Sequence, residues 1–164
     1  MPKRPHLTEE QKAKYNIQTS YFGKSATHPE AVSISVGTPR WFRGQKAPAL
    51  APTWAMLKMS SVEYDVHFQK ILDKLDPFDV IEKVNGKVLL CWEKAGERCH
   101  RRIVADWIEE HTGLYVPELG YAKGELHFET IEEADARRGK KHDCGEHPKP
   151  VRKRVRNVKT MDED

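Results

Sequence analysis

The stretch "KVLLC", residues 87–91, limits the folds open to this chain more than any other feature. It is apolar at successive positions, follows the turn-forming pair Asn85-Gly86 and gives way at once to "WEKAGER". So short a run is a strand rather than a helix, and a strand apolar on both faces belongs to a parallel sheet covered on both sides. The chain resumes with Ile103, Val104, Trp107 and Ile108 at helical spacing, and Gly113 follows His111 as a C-cap. A strand, a loop and a helix in this order predict an α/β fold.

The rest of the chain agrees with that class. "YNIQTSYF" (15–22) and "AVSISVG" (31–37) alternate apolar and polar side chains and read as strands. Gly37, Pro39, Gly44, Pro48 and Pro52 then interrupt regular structure across a long segment whose Trp41, Phe42 and Trp54 are expected to need burial. "SSVEYDVHFQKILDKL" carries the capping-box spacing of Ser60 and Glu63 and an apolar stripe of Tyr64, Phe68, Ile71, Leu72 and Leu75. A further helix starts with Asp76 as N-cap and Pro77 at its first position. Residues 114–135 are ambiguous, with "ELHFETI" able to add an edge strand. Residues 1–14 are polar and expected to be flexible, and 136–164 have almost no large apolar side chains, as in a disordered tail.

Charge separates the same parts. Residues 136–164 hold ten Lys or Arg against five acids, a net of +5, which leaves 1–135 at −2 of the chain's +3. No apolar stretch approaches the roughly 20 residues a membrane helix needs, and "MPKRPHLTEEQKAKY" has no apolar core for a secretory signal, so no membrane partner and a cytoplasmic location are expected. In a reducing compartment the odd count of Cys91, Cys99 and Cys144 reads as free thiols, metal ligands or a nucleophile rather than structural disulfides.

The chemistry gathers at "LLCWEKAGERCHRRIVADW", 89–107. Cys91 falls at the carboxyl end of a strand, where open α/β sheets bind ligands, and Cys99-His100-Arg101 open a helix whose N-terminus favours anions. With Arg98, Arg101 and Arg102 nearby, the same field favours a Cys99 thiolate. Cys99, His100 and Glu93 are therefore candidate catalytic groups, with Arg101 and Cys91 for a phosphate or other ligand. Three plainer readings stand beside this one. Cys99 and His100 can pack under the helix, Arg102 can pair with Asp106, and Glu93 can pair with Lys94 or Arg98 on the surface. No cofactor is expected. Zinc through Cys91, Cys99 and His100 is open, although the spacing C-x7-C-H is not a standard one.

The tail adds His142, Cys144 and His147, weak candidates for a metal, and a basic run over residues 137–159 suited to the phosphates of DNA or RNA. Two functions from different classes follow. One is an enzyme or ligand-binding domain acting on a nucleotide or nucleic-acid component, with Trp41 or Trp92 as a stacking face. The other is a non-enzymatic nucleic-acid- or protein-binding module working through its tail.

"ISVGTPRWFRG", "LAPTW", the Tyr-containing helix ending "LDP" and above all "LLCWEKAGERCHRRIVADWI" resemble the bacterial and phage family called domain of unknown function 488. The resemblance runs from about Tyr15 to Leu119 and implies a compact, Rossmann-like three-layer α/β domain with a short, mostly parallel sheet. It singles out Cys91, Glu93, Cys99, His100 and Arg101, with Gly37, Pro39 and Trp41 upstream. Many members carry Gly-His-Ser and Asp-Val-Arg where this chain reads "TSYFGKS" and "SISVGTPRW", which sets it on a divergent branch. The organisation expected is thus a flexible 1–14, an α/β domain over 15–135 and a basic tail over 136–164.

Overall fold

The computed structural model describes residues 3–140. Four strands, β1 (Gln18–Tyr21), β2 (Ala31–Ser33), β3 (Gln45–Lys46) and β4 (Val88–Cys91), form one sheet in the order β1-β4-β2-β3, parallel throughout. Residues 117–119 extend it beyond β1, where Glu118 pairs with Thr19 in parallel. Val88–Cys91 of the "KVLLC" run form β4, central and buried at every position, as its composition requires.

The two faces of β4 feed separate cores. Leu89 joins Phe68, Leu72, Ile81, Val104 and Ile108, the buried sides of helices α3 (Ser61–Asp73), α4 (Pro77–Lys83) and α5 (His100–Thr112). Val88 and Leu90 face a smaller cluster with Phe22 and Phe42, supplied by the four-residue helix α2 (Phe22–Ser25) and the loop after β2. The fold is therefore α/β, with a thick helical layer on one face of the sheet and a thin one on the other.

Local signals explain the helix ends. The Ser60 hydroxyl accepts from the Glu63 N–H, the Asp76 carboxylate caps α4 ahead of Pro77, and Gly113 closes α5 in the left-handed region at φ 78°. No described helix is long and apolar enough to cross a membrane.

Four expectations are corrected. The N-terminal segment is docked: helix α1 (Glu9–Lys12) has a complete Thr8/Gln11 capping box, and the Leu7 N–H donates to Thr112 O at the end of α5. "ELHFETI" makes no strand; the Glu129 N–H donates to Gly96 O and ties this segment to the loop after β4. The tail boundary at 136 falls inside helix α6 (Ile131–Lys140), which meets α3 through buried Ala134 and a Ser61–Asp135 hydrogen bond. Finally, of the aromatic residues expected to seek burial, only Phe42 does. Trp41 and Trp54 remain 57% and 62% exposed.

Candidate functional site

Parallel strands put all their carboxyl ends on one side, so Tyr21, Cys91, Ser33 and Lys46 share an edge of the sheet. After β2 the chain moves outward to β3; after β4 it returns to flank β1 at 117–119. Connections thus leave in opposite directions between β4 and β2, which is where an open α/β sheet forms a crevice. Cys91 ends one of these strands and Ile34 follows the other.

Here the chain brings together Cys91, Cys99 and His100, all buried, with their ligand atoms within 4.8 Å of one another. The Cys91 and Cys99 sulfurs stand at disulfide distance, 1.96 Å, with Cα atoms 7.5 Å apart. That corrects the reading of free thiols: a Cys99 thiolate exists only once the pair is reduced. Cys99 is the N-cap residue of α5, and its side chain makes no capping bond.

His100 is fixed from two sides. Its Nε2 lies 2.6 Å from Ile34 O, and its ring packs edge-on against Phe68 at 5.4 Å. A carbonyl only accepts, so Nε2 carries the proton and the lone pair sits on Nδ1, 3.7 Å from Cys99 Sγ. Burial pushes the imidazole down to about 4, against the bond to Ile34 and with help from the Arg101 charge. At neutral pH it is a base or a ligand, not an acid.

This shift has a signed consequence. As pH falls below about 6.5 the unfolded chain's histidine takes a proton that the folded one refuses until about 4, so stability drops with pH in that window. Between pH 7 and about 4.5 the expected loss is on the order of 2.5 kcal/mol. It is read as the difference in urea stability between wild type and His100→Gln, which cannot titrate. Equal acid losses in the two proteins would contradict it.

Arg101 corrects the sequence reading most sharply. It is 0% exposed, and every donor of its guanidinium is used. Nε and Nη2 donate to the two Glu118 carboxylate oxygens at 3.1 and 2.8 Å, Nη1 to Glu93 O and Cys91 Sγ, and Nη2 also to Lys94 O. Nothing is left for a phosphate. Arg102 is buried too, donating to Thr19 Oγ1 and Val116 O with its guanidinium over the Phe128 ring, so it does not lie on a solvated face beside Asp106. Arg98 pairs with Asp65. The arginines after Cys99 therefore build the junction.

Glu93 stands at the rim, half-buried, with Oε2 3.1 Å from Cys91 Sγ, a hydrogen bond when that sulfur is a thiol. Trp92 is held edge-on against Phe22, and its Nε1–H donates to Gly37 O, which makes it part of the thin layer rather than a stacking face. A Cβ on Gly37 would meet the Trp54 ring at 3.1 Å, so Trp54 rests on this glycine. The loop 34–37 thus touches His100 through Ile34 and both Trp92 and Trp54 through Gly37. Trp54 is the residue sequence reasoning passed over. Its signal was its position in an acid-free segment: residues 31–62 contain Arg40, Arg43, Lys46 and Lys58 and no Asp or Glu.

A depression lined by His6, Asp106, Glu109, Glu110 and Gly113 lies toward the other end of α5 and does not coincide with this cluster. His142, Cys144, His147 and the basic run beyond Lys140 lie outside the described residues; Arg137, the first of that run, is occupied by Glu129. Comparison with protein-family models, with curated proteins and with solved structures finds no match to this chain.

Proposed function

We propose that this chain, a divergent relative of domain of unknown function 488, binds a nucleotide or single-stranded nucleic-acid segment along the carboxyl edge of its sheet. The Cys91–Cys99–His100 cluster with Glu93 supplies the reactive chemistry beneath. The observation that carries the reading is the segment 31–62. It has four basic residues and no acid, exposes Trp41 and Trp54, and reaches the cluster through the loop 34–37. Basic side chains neutralise phosphates and indole faces stack on bases, the combination that holds a single strand without reading its sequence. Neutral His100 and rim carboxylate Glu93 are suited to accept protons, and Cys99 at a helix N-terminus is suited to act as nucleophile after reduction.

Arg43, Lys46 and Lys58 are exposed and test the reading together. Replacing all three with alanine is expected to reduce the log–log salt slope for a labelled single-stranded oligonucleotide by about 2, at roughly 0.7 per neutralised phosphate. Fluorescence anisotropy on the full-length chain measures it. Unchanged affinity and slope would move nucleic-acid contact to residues 137–159 and favour the tail-driven binding module.

A further inference from the structure

We infer that Cys91, Cys99 and His100 form a binding site for a thiophilic divalent cation of the zinc class, open when the cysteine pair is reduced. The inference is independent of the nucleic-acid reading. Three ligand atoms of the preferred kinds already lie within 4.8 Å of one another. The histidine is prepared as metal-binding histidines are, with one ring N–H committed to a carbonyl, Ile34 O, and the other nitrogen, Nδ1, turned toward the sulfurs. Backbone spacing points the same way. The cysteine Cα atoms are 7.5 Å apart, wider than the roughly 4.4–6.8 Å usual for a disulfide. Two sulfurs on one tetrahedral zinc stand about 3.8 Å apart, which a wider backbone separation suits.

Charge favours the site as well. A divalent cation with two thiolates and a neutral imidazole has no net charge, which a buried position tolerates, whereas two bare thiolates there would be costly. Arg101 Nη1 donates to Cys91 Sγ at 3.2 Å and holds that sulfur from behind, its own charge met by Glu118. Glu93 Oε2, 3.1 Å from Cys91 Sγ, is an oxygen donor at the rim of this cluster. Disulfide and metal are exclusive states. A phosphine reductant, itself converted to its oxide, delivers two electrons and leaves two thiols; each releases a proton to solvent as the cation binds.

Cobalt(II) added anaerobically to the reduced full-length chain is the probe. One cobalt per chain is expected, with a sulfur-to-cobalt charge-transfer band and the visible bands of a tetrahedral ion, all displaced by zinc. The spectrum should persist in Cys144→Ser and vanish in Cys91→Ser, in Cys99→Ser and in wild type oxidised before addition. Should either core variant fail to fold, X-ray absorption of zinc-loaded Cys144→Ser decides: two sulfur neighbours support the site and none overturns it. No thiolate–cobalt band in the reduced wild type, or a band lost in Cys144→Ser but kept in Cys91→Ser, also overturns it.

Discussion

Replacing Arg101 with methionine is expected to destabilise the protein by about 3–5 kcal/mol, the cost of leaving a buried charge without its partner. Glu118 is the stranded group. It is 2% exposed, accepts two guanidinium donors at 3.1 and 2.8 Å and a third hydrogen bond from Thr19 Oγ1 at 2.6 Å. Since a domain of this size has only about 5–15 kcal/mol in total, the variant should unfold at much lower urea. Glu118→Leu should cost a similar amount by stranding Arg101. The double variant removes both charges and should cost much less than the two single losses added, a coupling of at least about 2 kcal/mol. Some loss will remain, because Glu93 O and Lys94 O also give up their donors. Were both single variants within about 1 kcal/mol of wild type, as for an exposed pair, Arg101 would be accessible after all and its phosphate-binding role would revive.

The same arginine shows where the sequence speaks and where it falls silent. Periodicity places α5 correctly, and the junction of strand, loop and helix does assemble Cys91, Cys99 and His100. Read by its charge Arg101 looks like a phosphate ligand; read by its position it belongs to the core. It precedes Val104, Ala105 and Ile108 by three, four and seven residues, the spacing of the buried face, so its place in the core was legible. Its partner was not. Glu118 lies 17 residues on, beyond the helix, in a "PELG" that has no local mark of burial.

The helices at the two ends of the described chain divide the same way. Thr8 and Gln11 carry a capping signal that identifies α1. Among the described side chains "IEEADARRGK" buries only Ala134, and its helix leans instead on polar contacts with α3, which hydropathy cannot reveal. Size sends Trp54 to the interior, while Trp41 reads both as a residue needing burial and as a stacking face; large aromatic side chains at a surface are a signature of binding.

Those two tryptophans carry the remaining prediction. If each stacks on a base, alanine at either position should weaken binding of a single-stranded oligonucleotide by about 1–3 kcal/mol, roughly 5- to 150-fold. Both together should cost on the order of 2–6 kcal/mol if the contributions add. The salt slope should stay at the wild-type value, because no cation is removed; that separates stacking from the phosphate contacts of Arg43, Lys46 and Lys58. Stability should change little, since Trp41 and Trp54 are 57% and 62% exposed. Trp54 does touch Gly37, so thermal unfolding of each variant is measured beside the anisotropy titration. Gly37→Ala sharpens the test. Its new Cβ would meet the Trp54 ring at 3.1 Å and shift the indole without removing it, so affinity should fall by less than in Trp54→Ala. Double-alanine protein that is folded and binds like wild type would remove the carboxyl edge as the nucleic-acid face. The cysteine–histidine cluster would then stand as a site for a small ligand or a metal ion, with no strand lying over it.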